Sequence, residues 1–263
     1  MVKTKKNHIK TFLVSLFICR LLVAPAYAFS FSSWYAKKTW HPVIAIGAGT
    51  STSSDVGKSQ NFPIQNPATD EFYNYSANHL TQTSGFFDGF LGAEWNIYPG
   101  WALQAGIDYN QATSFSAKGT LLQGADAGSA DSYAYHYSVL TKQLLMEGKL
   151  LYPIYKHYYP YLLGGLGVAF NKAYHYYTNV PPLLSFTRTY ATHSTTSFSY
   201  AVGIGIDTDV TQNMRLGIGY RFADLGQVAL GNATIDTSSA SGTLSQQHLY
   251  TNEVLAQVTW VFS

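Results

Sequence analysis

Nine charged residues recur at alternate positions in stretches otherwise built from apolar residues and glycine: Asp88, Glu94, Asp108, Glu147, Lys149, Asp207, Arg215, Arg221 and Glu253. Alternation is the period of a β-strand, so each points to the face opposite its large apolar neighbours. An unpaired charge in a low-dielectric interior is expensive, and charges that share one must pair or hydrogen-bond. Two chemistries fit six acids and three bases arranged this way. One is a static ion-pair plug that fills a narrow interior. The other is a gate, in which rearranged pairs admit small ions.

Catalysis finds less support. A nucleophile, a histidine and an acid must stand within hydrogen-bond reach on a rigid wall. His193-Ser194 lies in a Ser/Thr-rich stretch with no acid at a matching spacing. His41, His79, His136, His157, His175 and His248 show no metal-ligand spacing either. No catalytic residue, metal or cofactor is predicted.

The elements that position the nine charges follow a leader. Lys3, Lys5, Lys6 and Lys10 precede an apolar stretch over 11–23, and Ala26-Tyr27-Ala28 is an A-x-A cleavage site. Residues 1–28 read as a secretory signal and 29–263 as one domain. Cys19 follows Ile18 rather than a small residue, which argues against lipidation, and it is the chain's only cysteine. The leader removes five of 16 basic residues, leaving 11 against 14 acids and a net charge of −3. A nucleic-acid partner loses its support.

Eight segments of period two follow, near 41–50, 83–96, 101–115, 134–152, 160–175, 197–208, 214–229 and 247–262. Their connections alternate in length. Those at 97–100, 153–159 and 209–213 are short. Those at 51–82, 116–133, 176–196 and 230–246 are long and rich in Ser, Thr, Asn, Gly and Ala. Short turns at one end and long loops at the other are the rhythm of an up-and-down barrel in an outer membrane. The apolar face is bulky, whereas the polar face is crowded with glycine and alanine, as a lumen requires.

Trp95, Tyr98, Trp101, Tyr152, Tyr159, Trp260 and Phe262 fall near the short turns, as an aromatic girdle at one membrane interface. Tyr73, Tyr75, Tyr133, Tyr135, Tyr137, Tyr174, Tyr176, Tyr177 and Tyr190, toward the long loops, are candidates for the other. The apolar run Pro181-Pro182-Leu183-Leu184-Ser185-Phe186 is a candidate contact surface. The expected fold is all-β: an eight-stranded antiparallel up-and-down transmembrane barrel, with the lumen filled by side chains.

The stretch SYAVGIGIDTDVTQNMRLGIGYRFADLG (199–226) resembles the sixth and seventh strands of the opacity-type and OmpA-like outer-membrane β-barrel family. YPYLLGGLGVAFN (159–171) is similar to its fifth strand, and TNEVLAQVTWVF (251–262) to its closing strand. The resemblance implies a surface protein of a Gram-negative cell outer membrane, in contact with outer-membrane lipid and lipopolysaccharide. It also implies that the barrel-assembly machinery engages the C-terminal strand, and that the loops face a host or surface ligand. Adhesion, structural and narrow-pore roles all occur in such a family, and lipid-modifying enzymes share the small-barrel form. By the same resemblance, Glu147, Lys149, Arg221 and Glu253 are the gating candidates. Ser263 displaces the closing aromatic by one residue.

Overall fold

The computed structural model describes residues 40–64, 71–98, 100–126, 128–155, 157–181, 187–236 and 238–262. The leader, the segment 182–186 within the apolar loop run, and Ser263 lie outside the described residues. Eight strands dominate: β1 (Trp40–Ser53), β2 (Gln82–Tyr98), β3 (Trp101–Ala112), β4 (Asp131–Leu151), β5 (Tyr158–Thr178), β6 (His193–Asp209), β7 (Met214–Asp224) and β8 (Tyr250–Val261). Each is antiparallel to the next. The ring closes where β1 meets β8, from Val43↔Val261 to Thr52↔Asn252. Closure leaves the ring no unpaired edge.

Side chains alternate cleanly across the wall. On β4 every odd residue from Tyr133 to Leu151 is buried, whereas Leu144 and Met146 are exposed. Ile44, Ile46, Phe87, Leu91, Ile107, Leu162, Leu166, Phe198, Val202, Ile204, Ile218 and Val254 join them on the outer face. That continuous apolar surface suits the hydrocarbon of a bilayer and not water. The small inward residues make room for large ones. A Cβ on Gly205 or Gly219 would come within 2.4 or 2.3 Å of the Tyr161 hydroxyl, which fills the space that both leave.

β4 and β5 run 21 residues each, roughly 70 Å of strand at about 3.3 Å per residue. This exceeds a bilayer crossing, so their upper parts stand beyond it. There the stretches expected as open loops carry strands of their own. Gln60–Phe62, Phe72–Ala77 and Phe115–Gly124 extend the sheet outward from the top of β4. Arg188–Tyr190, Ala233–Ile235 and Ser238–Ala240 form a separate small sheet. β7 ends at Asp224 rather than continuing to 229. Gly226 turns the chain at φ 66°, and its N–H is caught by Asp224 Oδ1 at 2.8 Å.

These outer segments share one apolar core that includes Tyr73, Tyr75, Phe115, Leu121, Tyr135, Tyr137, Leu225, Leu230, Leu244 and Leu249. It corrects the expectation of a second tyrosine girdle. Tyr73, Tyr75, Tyr133, Tyr135, Tyr137 and Tyr190 are buried, because inward parity continues above the ring and the loop strands cover it. Tyr176 packs against the same core, and Tyr177 remains exposed on the outside.

Candidate functional site

All nine charges point inward, and they form three tiers. The uppermost tier centres on Arg221 of β7, which is 2% exposed. Its Nε donates to Glu253 Oε2 of β8 at 2.7 Å, and its Nη1 to Asp88 Oδ2 of β2 at 3.1 Å and Asp108 Oδ1 of β3 at 3.2 Å. Glu147 Oε2 of β4 lies 3.7 Å from the same Nη1. One guanidinium thus links four other strands across the lumen. Arg is suited to this, because its planar fork carries five donors. The Phe86 ring lies 4.9 Å from the guanidinium carbon. Ser51 and Thr251 donate to Glu253 Oε1, and Asn110 donates to Asp108 and to Gln143.

Toward the short turns, Lys149 donates to Asp207 Oδ2 at 2.7 Å and to Gln257 Oε1 at 3.2 Å. Its ammonium also sits 3.9 Å from the Tyr161 ring centre. The third tier is at the mouth. Arg215 makes a bidentate pair with Glu94, at 2.5 and 3.1 Å, and its Nε donates to Asp209 at 3.2 Å. Tyr159 stacks on this guanidinium at 4.6 Å and donates to Asp209 at 2.6 Å. A cavity of about 510 Å³, lined by Glu94, Tyr98, Trp101, Tyr159 and Arg215 among others, opens at this end.

The four gating candidates are not one cluster: Arg221 meets Glu147 and Glu253, whereas Lys149 belongs to the next tier with Asp207. Asp209 joins the mouth tier although the sequence reading places it in the short connection 209–213. Its parity with Asp207 is the signal that places it inside. Tyr159 is not a girdle residue, since the same parity turns it into the lumen mouth. The remaining girdle candidates do sit at the short-turn end. Trp95 pairs across with Trp40, Tyr98 with Trp101, and Trp260 with Ile44 and Met214. Trp101 and Tyr152 pack with ring centres 4.9 Å apart, and Phe262 is half-exposed.

Buried polar atoms without a hydrogen bond among the described residues include Arg221 Nη2, Glu147 Oε2 and Asp207 Oδ1. Between the two upper tiers is a cavity of about 10 Å³ lined by Asp88, Glu147, Tyr161, Arg221 and Gln257 among others, near the size of one water. Among the described residues, no group of His, Cys, Asp and Glu is arranged to hold a metal ion. His193 and Ser194 are both exposed on β6. A separate Asp224–His248 contact, 2.8 Å, has no serine bonded to the imidazole among the described residues; Ser199 Oγ donates instead to the Asp224 carbonyl.

The solved structures to which the chain is similar stand at low identity and low TM-score. Neisserial surface protein A is 14% identical, with 86% of this chain and 100% of that one covered and a TM-score of 0.39. The outer membrane protease OmpT from Escherichia coli is 11% identical, with 86% and 99% covered and a TM-score of 0.46. The attachment invasion locus protein Ail of Yersinia pestis is 11% identical, with 86% and 100% covered and a TM-score of 0.34. No curated protein matches the chain in sequence. Residues 21–262 match the outer membrane protein beta-barrel domain, and with eight antiparallel strands closed into a ring whose outer face is apolar, the chain belongs to that family and resides in the outer membrane.

Proposed function

We propose that this barrel is a non-conducting surface protein. Its outer segments present a preformed contact surface to a host or surface ligand, and its lumen charges are a structural plug. The observation that carries the reading is Arg221: a buried guanidinium tied to Asp88, Asp108 and Glu253 and close to Glu147 occupies the lumen beneath a continuous apolar core. Rearranging such a network means breaking several buried charge pairs at once, which is costly. With the lumen blocked, the loop-built cap is the surface left for water-borne partners. Residues on loops held by a rigid scaffold are the usual carriers of recognition.

Planar-bilayer recording of the refolded barrel tests the plug. A silent bilayer is the expected result. Discrete openings that vanish in Arg221→Ala or Glu253→Ala would replace the plug with a narrow pore. Catalysis is not part of the proposal, and lipid A from cells expressing the protein should keep its mass.

A further inference from the structure

The outer face of the ring is nearly free of charge, and its exceptions are not scattered. Among the described residues of the eight strands, three with Lys, Arg, Asp or Glu side chains take outward parity. Asp224, at the end of β7, is buried and held by His248 and by the Gly226 N–H. The other two, Lys142 of β4 and Lys172 of β5, stand together. Lys142 pairs across with Phe170, and Lys172 with Leu140. They are therefore diagonal neighbours on adjacent strands, about 7–8 Å apart at the backbone.

Among the described residues, neither ammonium has a carboxylate within 4.0 Å. The ring of Tyr174 lies 5.9 Å from Lys172. The same height carries further hydrogen-bonding side chains on outward parity: Gln111 opposite Lys142, and Ser194 opposite Lys172. Below them the wall is apolar, with Leu144, Met146, Leu166 and Phe170 all exposed.

Height identifies the environment. Lys142 is nine residues up β4 from Leu151, beside the aromatic girdle. At about 3.3 Å per residue and a tilt near 40°, this is roughly 20–25 Å along the membrane normal, and the apolar band of such barrels is about 25 Å tall. The two lysines stand where the far leaflet's headgroups begin. Single lysines at that level are ordinary, since they reach the interface with their stems along the apolar wall. An adjacent, unneutralised pair flanked by hydrogen-bonding side chains, on an otherwise chargeless face, is not explained by that alone.

We infer that Lys142 and Lys172 form a binding site for the phosphate of an outer-leaflet lipid headgroup. Its acyl chains lie along Leu144, Met146, Leu166 and Phe170. Two ammonium groups on diagonal neighbours can converge on one phosphate, and the apolar wall directly below selects a phosphate attached to a lipid over a free one. The inference rests on the membrane placement of the ring and is independent of whether the lumen conducts or what the cap contacts.

Native mass spectrometry of the refolded full chain, released from detergent micelles, provides the test. The probes are bisphosphorylated lipid A, the same lipid without its phosphates, and inorganic phosphate. Lipid A should bind the wild type and lose roughly 30-fold in affinity in K142Q/K172Q, the weight of two headgroup-level lysines. K142R/K172R should retain binding, and K118Q, outside the ring, should be unchanged. The dephosphorylated lipid should bind no better to the wild type than to K142Q/K172Q, and inorganic phosphate should not bind. Heat-modifiable gel migration verifies that each variant is folded. Equal lipid A binding by folded K142Q/K172Q, an equal loss in K118Q, or comparable retention of inorganic phosphate would each overturn the inference.

Discussion

Arg221 sets the charge balance of the lumen. One guanidinium faces Asp88, Asp108, Glu147 and Glu253, so its loss and the loss of one acid are unequal perturbations. Arg221→Met removes the guanidinium at the centre of that tier and leaves its carboxylates buried without it. A destabilisation of about 3–5 kcal/mol is expected, the usual result of removing one partner from a buried ionic group. Asp88→Asn keeps the shape, retains three acids for the arginine and should cost less than 1.5 kcal/mol, near the net worth of one neutral hydrogen bond. Urea unfolding from phospholipid vesicles, followed by tryptophan fluorescence, ranks the two. Equal losses would mean that the arginine acts as one contact among many and not as the hub. Which residues face the lumen was legible in the sequence, because parity along each strand assigns Asp207 and Arg221 without any knowledge of their neighbours. Which residues meet was not. Lys149 finds Asp207 rather than Glu253 because the stagger around the ring decides heights, and stagger is a property of closure.

The cap is where reading by elements falls short. The stretches 51–82 and 116–133 carry the Ser, Asn and Gly of loops, yet they build short strands whose tyrosines pack inward. Their stability comes from contacts with each other, which local pattern does not reveal. Arg188 is the clearest link. Its guanidinium lies 4.6 Å from the Phe62 ring and 4.5 Å from the Tyr73 ring, and its Nη1 donates to the Ser241 carbonyl at 2.7 Å. Arg188→Ala removes two cation–π contacts, each about 0.5–2 kcal/mol. The strand Phe72–Ala77 should then become cleavable by protease while the ring's β circular dichroism persists.

The tyrosines add a pH dependence to the same cap. Burial pushes the Tyr75 hydroxyl well above the ordinary tyrosine value, and the neighbouring Tyr176 and Tyr190 hydroxyls add to the shift. Burial also raises Tyr190. A raised folded-state pKa gives stability that is fully present below the unfolded value, about 10, and is lost as pH rises above it. Protease sensitivity of the cap should therefore increase above pH ~10, and tyrosinate absorbance should rise with cleavage rather than before it. A cap that stays protected while all its tyrosines ionise would contradict this.

At the scale of the whole molecule, closure is one seam, and the end of its closing strand is held from two sides. Phe262 N–H donates to the Pro42 carbonyl at 2.9 Å, and His41 Nδ1 lies 3.1 Å from the Phe262 carbonyl. On the other neighbour, Asn213 Nδ2 donates to the Val261 carbonyl at 2.9 Å. All these bonds use the backbone of the closing strand, so they survive loss of the ring of Phe262, which is itself 47% exposed. The alternation of short and long connections made the ring legible, and the resemblance of TNEVLAQVTWVF to a closing strand marked strand eight as its last member. That the bonds at Phe262 are made by its backbone and not by its ring emerges only from the seam. Phe262→Ala should cost about 1 kcal/mol in unfolding from vesicles, as expected for a half-buried aromatic, with heat-modifiable migration preserved. If the exposed ring is what the barrel-assembly machinery engages, the inserted fraction in cells should fall far more than that small loss implies. Phe262→Tyr should restore it, since the aromatic face returns. Parallel, modest losses in vesicles and in cells would reduce the ring to an interfacial anchor and assign assembly to other parts of β8.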